Sequence, residues 1–176
     1  MKKGFSRCLG MGLMLLIIDA LLKYLVYFHF PSPSYSSSYP YGGIAVFQNV
    51  LGIDFCMTKV TNFGGAWGIF ASYPTVLLII RSGTLLSVFI YACFLNDQKK
   101  KRFPLFLIII GALGNILDCW IYGFVIDMFH FTFWGYSFPV FNLADSMIFL
   151  GISALVLQSL FQKRSKHVRA LSDKPS

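Results

Sequence analysis

The stretch FPLFLIIIGALGNILDCWIY (103–122) decides the architecture. Its first ten residues are apolar throughout, and about 20 residues in a helix span the hydrocarbon core of a bilayer. Within it Gly111, Asn115, Asp118 and Tyr122 recur at intervals of 4, 3 and 4, so the four share one helix face. Polar side chains cost free energy in lipid and default to a functional reading there. Gly111, Ala112 and Gly114 let a neighbouring helix approach closely, so Asn115 and Asp118 could also serve only as glue between helices.

Working outward, three more apolar runs are long enough to cross a membrane, at 9–28, 75–95 and 141–161. The chain is 56% hydrophobic and 12% charged, against about 25% charged in a water-soluble domain. Too little polar surface remains to cover a globule in water, so lipid is the solvent for most of the chain. The net charge of +8 does not indicate nucleic acid. Of 15 basic residues, 12 sit at 2–7, 99–102 and 163–174, all flanking apolar runs, as the positive-inside rule requires. The expected fold is an all-α polytopic membrane protein, a single domain over 1–176. Four spans at about 9–28, 75–95, 103–122 and 141–161 place both termini, the tail 162–176 included, in the cytoplasm. The outer loops are 29–74 and 123–140.

Asp19 and Lys23 interrupt the first run and no small-x-small site follows it, so that span is expected to be retained rather than cleaved as a signal peptide. The pair stands at i and i+4, a spacing that suits a structural ion pair. The four cysteines have no paired spacing and the three histidines are scattered. No disulfide framework, metal site or other cofactor is expected. In the first outer loop a Ser/Tyr/Pro segment, 31–41, precedes β-type runs at 44–50 and 53–61 and a glycine-rich turn at 62–68. These predict a small extracytoplasmic β-type cradle on the membrane surface.

The fourth span opens FPVFNLADS (138–146). Asn142 suits a helix N-cap, and Asp145 three residues on suits a capping box; alone, Asp145 reads as a cap. Asp127 changes that, because it follows the outer end of the third span while Asp145 lies in the first turn of the fourth. Both carboxylates are expected at one depth beside the outer headgroups. Two carboxylates a few ångströms apart tend to share one proton. Such a pair can hydrolyse a peptide, one member taking a proton from water and the other donating one to the substrate.

These blocks resemble the bacterial lipoprotein signal peptidases (signal peptidase II). Asp19 to Lys23 is similar to that family's first-span Asp-xxx-Lys. TNFGGAWG (61–68) resembles its Asn-x-Gly-Ala-Ala-Phe block, while GALGNILD (111–118) with GFVID (123–127) and FPVFNLADS (138–146) resemble its third- and fourth-span signatures. The resemblance implies an aspartyl endopeptidase, sensitive to globomycin, that cuts lipoprotein precursors just before a diacylglyceryl-modified cysteine. It further implies Asp127 and Asp145 as the catalytic pair, Asn62, Asn115 and Asn142 lining the site, and Asp19, Lys23 and Asp118 in support. Its partners would be diacylglyceryl-modified prolipoproteins and membrane lipids, not nucleic acid. Its place would be the bacterial inner membrane, with the active site at the periplasmic face, and it would act as a monomer.

Two departures stand out. Cys119 occupies the position where the family usually has an arginine, and Lys59, the one basic residue of the outer loops, is the expected substitute. Segment 31–41 resembles an insertion. Arg81, about seven residues into the second span, is expected to snorkel to the outer headgroups as an anchor. The alternatives are a catalytically impaired relative that binds lipoproteins, a small proton-coupled transporter, and a Ser–Lys peptidase, the last lacking a serine in a suitable setting.

Overall fold

A computed structural model describes residues 2–31, 42–64 and 72–172, with side-chain surroundings for those between 10 and 162. Four helices follow in order: α1 (Lys2–His29), α2 (Pro74–Ile90), α3 (Arg102–Ile121) and α4 (Leu143–Ser172). Four helical segments are long and apolar enough to cross a membrane, at Gly10–His29, Pro74–Leu95, Lys99–Ile121 and Leu143–Gln162, the middle two taking in short turns beside α2 and α3. A π-helical turn, Tyr91–Leu95, prolongs α2, and a 3-10 turn, Lys99–Lys101, leads into α3. α4 does not stop near 161 as the apolar run suggests; helix continues to Ser172.

Side chains such as Ile79, Phe94 and Phe149 are two-thirds or more exposed, which a lipid solvent tolerates and water would not. α2 is the extreme case, with Leu77 as its one buried side chain. α3 and α4 form the tightest pair. A Cβ on Gly111 would strike the Ala144 carbonyl oxygen, and one on Gly114 would stand 2.8 Å from Asp19 Oδ2. Small residues at these two positions let α4 and α1 lie against α3, the close approach expected from the sequence.

Beyond the helix ends lies a four-stranded antiparallel sheet in the order β1 (Ile44–Val50), β2 (Ile53–Asn62), β3 (Val125–Phe133), β4 (Tyr136–Ser137). The first two strands fall where the β-type runs are, and the last two add the 123–140 loop to the expected cradle. VIDMFHFTF (125–133) is rich in the β-branched and aromatic residues that favour strands, and glycines at 123 and 135 bound it. β3 is central, pairing with β2 over most of its length. Cys56 and His130 face each other within the sheet, with Sγ and Nδ1 3.4 Å apart and His130 Nε2 2.8 Å from Ser137 Oγ; burial lowers the His130 pKa and raises that of Cys56. The chain entering α4 is bonded to β3 as well, with Phe129 N–H donating to Phe141 O (2.8 Å) and Phe141 N–H to Phe129 O (3.1 Å).

One ammonium joins these layers. Lys23 is wholly buried. Its three N–H groups go to Asp19 Oδ2 at 2.7 Å, Asp118 Oδ2 at 2.7 Å and Asn115 Oδ1 at 3.1 Å. The ion pair expected within α1 is present, and Asp118 joins it. Asp19 spends its other oxygen on the Ala144 N–H at the start of α4 (2.9 Å), and Asp118 accepts the Ile126 N–H at the start of β3 (3.4 Å). Removing one member of a buried ionic cluster costs about 3–5 kcal/mol, because its partners are left charged and unpaired. Lys23→Met should therefore lower thermal stability of the protein in detergent by that order, more than Lys23→Met combined with Asp19→Leu. A single substitution that leaves the melting temperature unchanged contradicts this.

Candidate active site

The site forms where β3, the end of β2, the C-terminal half of α3 and the first turn of α4 meet. Asp127 is the third residue of β3 and is 3% exposed. The β2–β3 register places Val60 opposite it and Asn62 opposite Val125. From there Asn62 Nδ2 donates to Asp127 Oδ2 at 3.0 Å, and Asn142 Nδ2 donates to Asp127 Oδ1 at 2.7 Å. Both oxygens of this carboxylate are thus held by amides.

Asp145 is held in a similar way. Asn115 Nδ2 donates to its Oδ1 at 2.7 Å, and the Asn142 backbone N–H to its Oδ2 at 3.2 Å. The Asp145 N–H in turn donates to Asn142 Oδ1 at 2.8 Å, completing a reciprocal capping box. The cap and carboxylate-pair expectations for Asp145 therefore describe one arrangement. Closing the box is what aims Asn142 Nδ2 at Asp127, so the same asparagine reaches both acids.

The amide orientations follow from neighbours with no choice of role. An ammonium has donors only, so Asn115 must turn Oδ1 toward Lys23, leaving Nδ2 for Asp145. A backbone N–H likewise needs an acceptor, so Asn142 turns Oδ1 toward the Asp145 N–H. Its Nδ2 then faces Asn115 Oδ1 (3.1 Å), the Ile126 carbonyl (3.3 Å) and Asp127. A continuous path of hydrogen bonds runs from the buried Lys23 ammonium to both carboxylates. Burial, and after it the nearby Asp145 charge, push the Asp127 pKa up to about 7, while the bonds from Asn62 and Asn142 pull against that rise. A carboxyl poised near neutrality can hold or release a proton under ordinary conditions.

All eight residues singled out in the sequence therefore fall in one connected cluster: Asp127, Asp145, Asn62, Asn115 and Asn142 directly, with Asp19, Lys23 and Asp118 behind them. The transporter alternative needs ionisable groups spread through the membrane depth. Instead, the buried ionisable groups among the described residues of the spans are Asp19, Lys23 and Asp118, which belong to this cluster.

Two cations are not where the sequence suggested. Lys59 Nζ donates to the Tyr27 carbonyl at 3.2 Å and stands 5.6 Å over the Tyr27 ring. It caps the end of α1, where a helix dipole attracts positive charge, and among the described residues it makes no hydrogen bond or ion pair to Asn62, Asp127 or Asp145. Arg81, expected to reach the headgroups, instead donates through Nη2 to the Gly64 carbonyl (2.7 Å) and through Nη1 to Cys119 Sγ (3.4 Å). Spacing alone could not pair α2 with α3, although an arginine inside a span was signal enough to ask what it meets. Residues 65–68 of the glycine-rich turn and nearly all of segment 31–41 lie outside the described residues.

The family model for signal peptidase (SPase) II matches residues 11–161. The lipoprotein signal peptidase of Chlamydia muridarum is 36% identical over 130 residues, covering 72% of this chain and 78% of the relative. That of Haemophilus ducreyi is 32% identical over 171 residues, covering 94% and 98%. A bacterial membrane enzyme solved by the in meso method at 2.3 Å resolution superposes with a TM-score of 0.74 at 24% identity, over 92% of each chain, a likeness of fold. Another, at 1.9 Å, gives 0.69 at 25% identity over 88% of this chain and 93% of that one. With four spans, a capping sheet and a match running through all of them, the chain belongs to the signal peptidase II family, a family of membrane proteases.

Proposed function

We propose that this protein removes signal peptides from lipoprotein precursors by aspartyl catalysis, cutting just before a diacylglyceryl-modified cysteine with Asp127 and Asp145 as the catalytic pair. The observation that carries this reading is the amide bridge: Asn142 contacts both carboxylates, through Nδ2 to Asp127 (2.7 Å) and through its backbone N–H to Asp145 (3.2 Å). Relatives named lipoprotein signal peptidase support the substrate class.

In this mechanism Asp127 carries the shared proton and Asp145 is ionised. A water between them gives a proton to Asp145 as its oxygen attacks the scissile carbonyl carbon. Asp127 donates its proton toward the carbonyl oxygen, and the tetrahedral intermediate then collapses. As the C–N bond breaks, Asp145 gives its proton to the leaving nitrogen and Asp127 recovers one from a hydroxyl of the intermediate, so a carboxylic acid and an amine are released and the pair is restored. The amides of Asn62, Asn115 and Asn142 hold the acids in place, so little reorganisation is needed at the moment of reaction.

Orientation follows from charge. The basic clusters at 2–7, 99–102 and 163–174 flank the helix ends away from the sheet and face the cytoplasm by the positive-inside rule. The sheet and the acid pair then face the periplasmic side of the inner membrane. Acyl chains on a substrate cysteine, sitting in the outer leaflet, would hold the scissile bond at that level, so the membrane itself contributes positioning.

The purified protein should cleave a diacylglyceryl-modified precursor peptide and leave the unmodified peptide intact. Asp127→Asn and Asp145→Asn should each reduce the rate by about 10²–10⁴-fold; equal cleavage of the unmodified peptide, or near-normal rates in either variant, contradicts the proposal. The rate should also fall on the alkaline side of about pH 7 as Asp127 loses its proton. Asn62→Ala removes a bond that favours the ionised carboxylate, so the proton is held to higher pH and that limb should move upward. A limb that stays put or moves down in Asn62→Ala contradicts the assignment of the acid.

A further inference from the structure

Arg81 lies in the second turn of α2, and its guanidinium crosses to two other elements. Nη2 donates to the Gly64 carbonyl at 2.7 Å and Nη1 to Cys119 Sγ, on the last turn of α3, at 3.4 Å. The Gly64 N–H donates to Asn62 Oδ1 at 3.0 Å, closing a local turn at the end of β2, and Asn62 Nδ2 donates to Asp127 Oδ2 at 3.0 Å. The contacts thus run without a break from α2 through Gly64 and Asn62 to the Asp127 carboxylate. An arginine stays charged in any protein setting, and its charge in a membrane span carries a cost that a packing role alone does not require. No carboxylate pairs with Arg81 among the described residues. Both acceptors belong to neutral groups, and both lie at the edge of the site.

We propose that Arg81 is a positioning residue for the reaction: it holds the Asn62–Gly64 turn against α2 and α3, and through Asn62 it fixes the Asp127 carboxylate. The cation comes from α2, and Cys119 of α3 provides the small half-buried surface on which the guanidinium rests. Asn62 cannot turn its amide around without facing its Nδ2 donors toward the Gly64 N–H, so the turn that Arg81 holds also keeps Nδ2 aimed at Asp127. The inference rests on the catalytic reading of Asp127.

The experiment compares Arg81→Gln, Arg81→Lys and Lys59→Ala with the parent protein. The full-length proteins in detergent cleave a diacylglyceryl-modified precursor peptide, with kcat, KM and the pH profile measured for each. Arg81→Gln should lower kcat by about 10–100-fold, the scale of a misplaced catalytic group, with KM within about threefold if chemistry limits turnover. Its alkaline limb should move upward, as for loss of the Asn62 bond. Arg81→Lys, which keeps the charge but can reach only as a point donor, should recover part of kcat and part of the limb position, and Lys59→Ala should match the parent. Unchanged kcat in Arg81→Gln overturns the proposal. So does a loss confined to KM, which marks a substrate contact, or a loss with the alkaline limb unmoved, which marks a purely structural anchor. If Asp127→Asn is active, the catalytic reading itself has failed; if Asp127→Asn is inactive and Arg81→Gln is normal, only the role given to Arg81 has.

Discussion

A lysine ammonium buried inside a helical bundle, with each of its three protons assigned, is the constraint on which the rest of this structure depends. Lys23 is 0% exposed, and an unpaired ammonium in lipid would be untenable. Its partners Asp19 and Asp118 bring α1 and α3 together, and their remaining bonds, to the N–H groups of Ala144 and Ile126, take hold of the first residues of α4 and β3. Those two starting points carry Asp145 and Asp127. The helices could pack on apolar contacts alone, but such contacts do not fix one helix end relative to another to within a hydrogen bond. The ionic cluster does, at a cost in desolvation that its internal pairing offsets.

The third proton of Lys23 extends this order from backbone to side chains. By claiming the carbonyl oxygen of Asn115 it decides which way that amide points, and hence that Asp145 meets a donor rather than an acceptor. Asn142 is decided in the same fashion by the capping box of α4. The catalytic reading asks two acids to differ in proton occupancy while sitting near each other. An environment of amides with fixed orientation suits that, since each can stabilise charge on a carboxylate without itself titrating. Charged residues are kept one layer back, where they set geometry. The sheet completes the enclosure by bringing Asn62 across from β2 and by burying Asp127 from water, which raises its proton affinity toward neutrality.

Much of this was legible in the residues, for physical reasons that differ from place to place. Spans show in sequence because lipid demands about 20 apolar residues at a time. The polar stripe Gly111–Asn115–Asp118 shows because helical period puts these residues on one face, and Asn142 with Asp145 shows because capping is local chemistry. Asp127 was legible as an acid next to a span end, whereas the strand that carries it was less so, although a run as rich in Val, Ile, Phe and Thr as 125–133 favours extended backbone. The contacts of Lys59 and Arg81 were not legible, for a common reason. Nearness in sequence pointed from Lys59 to Asn62, but strand geometry turns that lysine toward Tyr27 at the end of α1. Arg81 is far from Cys119 in sequence, and only the packing of α2 on α3 joins them. Local rules carry no information on which helix faces which, so contacts of this kind lie beyond them.

The central claim is that Asp127 holds a proton near neutral pH and passes it to the substrate while Asp145 acts as base. The most direct measurement is infrared difference spectroscopy of the purified protein through a pH titration, following the carbonyl band of protonated carboxyl groups in the parent and in Asp127→Asn. The account predicts a protonated carboxyl that disappears with a midpoint near 7, together with catalytic activity, and that is missing from Asp127→Asn. A titration in which that band persists in Asp127→Asn, or in which no carboxyl of the parent remains protonated a unit below neutrality, would contradict it.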